Sequence, residues 1–107
     1  MNGAFYKLEV YVPVDHADRL KTALAGAGAG RWGGYDCCMW ETAGTGQFRP
    51  LEGSNPFIGT PGAIEQVAEK KLEMLVAGDA LAQVLVALRA NHPYETPAFY
   101  YWEVKIS

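Results

Sequence analysis

The sequence has 107 residues, and its 12 glycines and 6 prolines exceed the roughly 12% share that these two residues usually have. Hydrophobic residues make up 50% and charged residues 20% of the chain. These values exclude a disordered chain, a collagen-like repeat and a multidomain protein, and they predict a single domain over residues 1–107. The net charge is −3 and the basic residues are scattered, so we expect no nucleic-acid partner.

The chain shows no signs of membrane insertion or export. No segment approaches the roughly 20 apolar residues of a membrane span. The N-terminus lacks a charged start with an apolar run and a cleavage site. Cys37 and Cys38 are adjacent, a spacing that strains a disulfide between them, so we expect reduced thiols. These features predict a cytoplasmic protein without a membrane partner.

The first half of the chain predicts a strand, a helix and a second strand. Side chains alternate in character from Phe5 to Val12, which is typical of a strand. Asp15 is predicted to cap the following helix, which Gly26 and Gly28 end. The second strand is predicted over Tyr35 to Thr42.

A glycine-rich excursion is predicted over residues 43–63, because this stretch holds five glycines and three prolines and has no period. Within it, residues 47–51 are predicted to fold back as a short hairpin arm. An irregular stretch of this length in a small domain is often functional.

The segment from Ile64 to Val76 fits both a helical stripe and a long strand. Asp79 is predicted to cap a helix that ends before Pro93, and residues 99–106 alternate as a last strand. A strand over the ambiguous segment completes two βαβ units. We therefore predict an α+β, ferredoxin-like fold with an antiparallel four-stranded sheet and two helices on one face; whether residues 64–76 are wholly strand stays open.

The face of the sheet without helices is predicted to be aromatic. Phe5 and Tyr11 of the first strand, and Phe99 and Tyr101 of the last, are assigned to it. Such a patch would be unusually large for a surface in contact with water. We therefore expect this face to pack against other copies in a homo-oligomer.

Two motifs resemble signatures of a known family. The first is Gly-Thr-Gly-Gln-Phe-Arg-Pro at residues 44–50 with Gly-Ser-Asn-Pro at residues 53–56, and the second is His-Pro-Tyr-Glu-Thr-Pro-Ala at residues 92–98. Together they resemble the NIF-three-like (YqfO-type) family over nearly the whole chain. The resemblance implies a stand-alone version of the family's PII/CutA-like insert domain, which is ferredoxin-like and forms trimers.

The resemblance does not extend to the family's metal centre. Full-length members have a second, larger domain that supplies His, Asp and Glu ligands for two metal ions. This chain has two histidines, His16 and His92, and no room for that domain. We therefore transfer neither the di-metal site nor the GTP cyclohydrolase label attached to the family.

The glycine-rich segment and the motif at residues 92–98 hold the candidate binding residues. Backbone N–H groups in the glycine-rich loop can form an anion-binding nest, with Arg49 adding charge. The alternative is that the glycines only allow tight turns. The candidate ligand-binding residues are Gly44, Gly46, Phe48, Arg49, Asn55 and Tyr94.

His92 and Glu95 are candidate ligands for a divalent metal ion, although zinc would require four ligands. The alternative is that His92 caps the carbonyls of the preceding helix while Tyr94 and Glu95 shape a turn. No nucleophile–base pair stands out. We predict a non-enzymatic oligomeric module that binds a small metabolite, a metal ion or a partner protein. The other hypothesis is a metal-dependent hydrolase whose metal site is assembled between subunits.

Overall fold

The computed structural model describes residues 3–106, which form four strands and two α-helices. In chain order these are β1 (Phe5–Pro13), α1 (Ala17–Gly26), β2 (Trp40–Phe48), β3 (Glu65–Ala77), α2 (Leu81–Asn91) and β4 (Phe99–Val104). The strand predicted over residues 64–76 is therefore confirmed. In the described part of the chain, neither helix has the length and apolarity that a membrane crossing requires.

The four strands form one antiparallel sheet in the order β2-β3-β1-β4. Strand β1 is central: Leu8 lies opposite Met74 of β3 and opposite Tyr101 of β4. Strand β2 pairs with β3 over its whole length, from Trp40 opposite Glu73 to Phe48 opposite Glu65. With both helices on one face, this topology confirms the predicted ferredoxin-like fold.

The hydrophobic core lies between the sheet and the two helices. Because successive side chains of a strand point to opposite faces, every second residue of β1 and β3 faces the helices. The largest fully buried side chains are Leu8, Val10, Val12, Leu20, Leu24, Leu72, Val76, Val84 and Leu88. Burying a side chain of this size stabilises the fold by about 1.5–3 kcal/mol.

The two helices begin differently from the prediction. Asp15 lies inside a 3₁₀ turn, Val14–His16, and Asp79 lies inside another, Gly78–Ala80. No side chain caps either helix. The N–H of each helix's first residue bonds instead to the carbonyl three residues earlier, so the backbone satisfies it.

The second strand begins five residues later than predicted, because residues 35–39 belong to an irregular loop. Trp32 and Tyr35 close a tight turn with reciprocal backbone hydrogen bonds of 2.9 Å. The glycine-rich residues 43–48 are part of β2, so the excursion is shorter than predicted. Residues 47–51 form no separate hairpin arm, because β2 and β3 are themselves the arms of one long hairpin.

The sheet face away from the helices, here called the open face, is aromatic as predicted, but the contribution of β4 is different. Lys7 pairs with Trp102 and Val10 with Phe99, so Trp102 lies on the open face while Phe99 packs against the core. Tyr101 also lies on the helix side, and the prediction for these two β4 residues is wrong. By register the open face carries Phe5, Tyr11, Trp40, Phe48, Tyr100 and Trp102.

The structure predicts unequal roles for two neighbouring glycines. Gly30 has a φ of +79°, and a Cβ there would lie 2.7 Å from the Cys38 carbonyl oxygen. Gly34 has no positive φ and open space around it. We expect Gly30→Ala to lower the free energy of unfolding by about 2 kcal/mol, and Gly34→Ala to change it by less than about 0.5 kcal/mol. Urea denaturation measures both, and equal midpoints would contradict the assignment.

Candidate functional site

A cavity of about 380 Å³ lies beside the far end of β2. Its walls come from the end of β2, single residues of β1 and β3, the loop that follows β2 and the turn after α2. The lining is mainly apolar and aromatic, and includes Tyr11, Phe48, Pro50, Phe57, Ile58 and Tyr94. Two carboxylates, those of Glu69 and Glu95, also face it. A concave apolar site with a few polar groups is typical of small-molecule binding.

A hydrogen bond between Tyr94 and Glu69 joins the turn to the sheet. The Tyr94 Oη donates to Glu69 Oε2 at 2.9 Å, and Glu69 is only 8% exposed. Burial, followed by the contact with Glu69, raises the pKa of Tyr94 well above its ordinary value of 10.0. The phenol therefore keeps its proton at neutral pH and serves as a hydrogen-bond donor.

Gly46 makes room for the Glu69 carboxylate. The two residues lie on paired strands, and a Cβ on Gly46 would overlap the carboxylate of Glu69. A residue with a side chain at position 46 would push this carboxylate away from Tyr94. The role of this glycine is therefore steric, because Gly46 has no positive φ.

The aromatic wall of the cavity is held by ring contacts. Phe48 meets Tyr94 edge-on, with ring centroids 5.7 Å apart, and Phe57 lies 6.5 Å from Tyr94. The ring of His16 meets that of Phe57 at 5.4 Å. These contacts hold the Phe57 side chain at the edge of the cavity, where 54% of its surface stays exposed.

His92 anchors the turn through both of its ring nitrogens. The Nε2 donates to the Tyr11 carbonyl at 2.7 Å, so Nδ1 accepts from the Tyr94 N–H at 3.1 Å. His92 therefore bonds to β1 rather than capping the carbonyls of α2. Burial lowers the pKa of His92 below its ordinary 6.5, although the bond to Tyr11 opposes the shift.

The two predicted metal ligands are engaged within the protein. A neutral His92 with these two hydrogen bonds has no lone pair free for a metal. Glu95 Oε2 accepts from the Asn55 N–H at 3.0 Å, which ties the loop to the turn. Among residues 3–106, no group of three or more His, Cys, Asp or Glu side chains is arranged to hold a metal ion.

The structure brings some of the predicted ligand-binding residues together and leaves others apart. Gly46, Phe48 and Tyr94 line the cavity, and Asn55 borders it through its bond to Glu95. Gly44 lines a neighbouring depression of about 320 Å³. Arg49 is exposed and lines neither, and the positive charge beside Gly44 and Gly46 comes from Lys71, which lines the depression.

Sequence reasoning did not single out Glu69, Phe57 and Tyr11. Glu69 lies at a position of β3 whose side chain points away from the helices, and a glutamate on that face is typically solvated. Tyr11 was assigned only to the open face. Phe57 carried a usable signal, since a large aromatic residue in a polar, glycine-rich loop often contacts a ligand or another chain.

The chain is similar to one segment of larger bacterial proteins. It is 47% identical over 96 residues to a GTP cyclohydrolase 1 type 2 homolog of Halalkalibacterium halodurans, covering 90% of this chain and 26% of that protein. The corresponding protein of Mycobacterium tuberculosis is 46% identical over 93 residues, with coverages of 87% and 24%. The chain thus spans about a quarter of the length of these curated relatives. No protein-family model matches it.

Solved structures share the fold. A Bacillus cereus protein related to NIF3 superposes with a TM-score of 0.84 at 33% identity, over 99% of this chain and 27% of that one. The periplasmic divalent cation tolerance protein CutA of Archaeoglobus fulgidus superposes with a TM-score of 0.69 at 18% identity, over 96% of this chain and 86% of that one. The GlnK–ATP complex of B. subtilis superposes with a TM-score of 0.64 at 16% identity, over 97% of this chain and 84% of that one. At these low identities, the last two show the fold alone.

His92 predicts a pH dependence of stability. Its pKa is lower in the folded protein than the ordinary value of 6.5, so below that pH the unfolded chain binds more protons. Stability is therefore lost as the pH falls from 7 to 5, by at most about 1.4 kcal/mol per pH unit for this one group. We expect the slope of unfolding free energy against pH to flatten in His92→Gln.

The control for this experiment is His16→Gln. His16 contacts Asp15 and Phe57 at the surface side of the loop, and it is less buried than His92. Chemical denaturation at several pH values measures the slopes of both variants and of the unmodified protein. An unchanged slope in His92→Gln would contradict the assignment of a neutral, buried imidazole.

Proposed function

We propose that this chain, a version of the PII/CutA-like domain of the NIF-three-like proteins, is a non-enzymatic binding or regulatory module that works as a homo-oligomer. The observation that carries the proposal is the open face of the sheet. On it Trp40 is 70%, Tyr100 57% and Trp102 43% exposed. Exposed aromatic side chains in such number are typical of a surface that another protein covers.

The charges at the centre of the open face are already compensated. Lys7 lies 2.7 Å from Glu73 and 3.7 Å from Glu9, and Lys71 lies 3.7 Å from Glu73. The hydrogen bond with Glu73 raises the pKa of Lys7, and the same bond lowers the pKa of Glu73. Because these groups neutralise one another, a second copy can cover the centre of the face, around Lys7 and Glu73, without stranding a buried charge there.

The open face therefore combines an aromatic rim with an internally paired centre. The Lys7 ammonium also lies 5.9 Å from the centroid of the Trp102 ring, which connects the centre to the rim. The resemblance to PII and CutA proteins favours three copies that bring these faces together. On this model the helices lie outside, and the cavity beside Phe48 and Tyr94 stays near a subunit boundary.

The cavity is the proposed binding site of each copy. Its aromatic wall and its two carboxylates support a small metabolite, with a segment of a partner protein as the other candidate. Gly46, Phe48 and Tyr94 contribute to this site directly. We propose that oligomerisation and ligand binding together make the module regulatory.

A metal-dependent hydrolase is the alternative function. It follows from the name of the relatives, of which this chain covers about a quarter. In this chain it would need a metal site assembled from several subunits, since the described residues 3–106 offer no ready group of ligands. His92 would first have to give up its bond to Tyr11 or Tyr94.

The oligomer is tested with Tyr100→Glu, which places a charge on the open face. We expect the unmodified protein to be an oligomer, with three copies favoured, and the variant to be a monomer in size-exclusion chromatography with light scattering. Val86→Glu is the matched control, because Val86 is 68% exposed on α2 and lies on the opposite side of the sheet. A monomeric unmodified protein, or an oligomeric Tyr100→Glu variant, would refute the interface.

The two functions are distinguished by the metal content of the purified protein. We expect less than one tenth of an equivalent of bound divalent metal, because both ring nitrogens of His92 are engaged. Elemental analysis of the oligomer measures the content before and after dialysis against zinc or manganese. Stoichiometric metal that is lost in His92→Gln, but kept in His16→Gln, would favour the hydrolase instead.

A further inference from the structure

The wall of the cavity contains a buried glutamate without a cationic partner. Glu69 is 8% exposed, and among residues 3–106 no lysine, arginine or histidine forms an ion pair with it. Two partly buried glutamates at the centre of the sheet differ, because Glu9 and Glu73 each lie within 4.0 Å of the Lys7 ammonium. Glu65, at the start of β3, is partly buried and has no such partner among residues 3–106, but it is less buried than Glu69.

The lysines next to Glu69 in the sequence are engaged elsewhere. Lys70 points to the helix side of the sheet, where its ammonium lies 2.6 Å from Glu41. Lys71 shares the face of Glu69, but its ammonium pairs with Glu73 at 3.7 Å. A buried carboxylate is costly unless an opposite charge or several hydrogen bonds compensate it. The described chain supplies Glu69 with one hydrogen bond, from Tyr94.

The rest of the cavity lining adds negative charge and no positive charge. Glu95 faces the same cavity, and among residues 3–106 it takes part in no ion pair. Among the described residues 3–106, no lysine, arginine or histidine is part of the lining, and Lys71, which lines the adjoining depression, is paired with Glu73. The negative charge of the lining therefore favours cations over anions such as phosphates and carboxylates.

The aromatic rings favour an organic cation over a metal ion. The faces of Phe48, Phe57 and Tyr94 attract an ammonium or guanidinium group that approaches them. A calcium ion takes six to eight oxygen ligands, and magnesium an octahedron of oxygens. A lining of two carboxylates within an apolar wall suits neither ion.

We propose that the cavity binds a small organic cation, an ammonium or guanidinium group on an apolar body, with the cationic head against Glu69 and beside the rings of Tyr94 and Phe57. The apolar body would lie along Pro50 and Ile58. This inference rests on the proposed function and names the ligand class of its site. The volume of about 380 Å³ falls within the range of small-molecule sites.

Three probes with the same phenyl group test the ligand class: 2-phenylethylammonium, 2-phenylethanol and 3-phenylpropionate. Their affinities for the oligomer of the 107-residue chain are measured by ¹H–¹⁵N NMR titration, with shifts followed at residues 46–58 and 94–98. We expect the ammonium to bind at least about tenfold more tightly than the alcohol, the ratio expected of one charge-assisted contact. We expect the carboxylate to bind most weakly.

Glu69→Gln keeps an acceptor for the Tyr94 hydroxyl and removes the charge. We expect this variant to bind the ammonium probe about tenfold more weakly and to keep its affinity for the alcohol within twofold of the unmodified protein. Glu52→Gln is the matched control, because Glu52 is exposed and does not line the cavity. Phe57→Leu keeps an apolar residue and removes the ring, so we expect a several-fold loss of affinity for the ammonium probe alone. This result does not depend on the folding of Glu69→Gln.

The outcomes separate this inference from the proposed function. If the alcohol or the carboxylate binds in the cavity as tightly as the ammonium, the cation class is refuted while the binding site stands. If none of the probes binds the folded oligomer, both the ligand class and the role of the cavity as a binding site are refuted. Binding of the ammonium to monomeric Tyr100→Glu alone would show that a neighbouring copy fills the cavity, which also refutes the proposal.

Discussion

The pairing register of β1 with β3 determines both faces of the sheet. Leu8 lies opposite Met74 and Val10 opposite Leu72, so both strands bury the same set of alternate side chains under the helices. The other set, which includes Lys7, is thereby placed on the open face. A slip by one residue would expose the core and bury the charges, which makes the register strongly specified.

The difference in length between these two strands leaves the space in which the cavity lies. Strand β3 has 13 residues and β1 has nine, and the pairing ends with Pro13 opposite Glu69. Beyond that point β3 is paired only with β2, and no helix covers the hairpin. The loop after Phe48 and the turn around Tyr94 fill this position, and the cavity lies between them.

The predictable parts of the fold are those that local patterns determine. Alternation over β1 and β4 and the helical stripe of α2 follow directly from side-chain periodicity, and topology resolved the ambiguous segment that became β3. The predicted position of β2 was wrong because Gly44 and Gly46 have a low strand propensity. In the structure, pairing with nine residues of β3 outweighs this low propensity. The face of β4 was wrong because both of its faces carry aromatic residues, so alternation alone does not determine which one is buried.

The site was only half predictable, for a different reason. The candidate residues Gly46 and Tyr94 come from motifs, but their shared partner is a glutamate on the strand between them in sequence. A glutamine at position 69 would accept the same hydrogen bond from Tyr94 without a buried charge. Glutamate adds a negative charge, and among residues 3–106 no lysine, arginine or histidine forms an ion pair with it. The hydrogen bond to Tyr94 alone does not require this charge, and the proposed organic cation is the group that would use it.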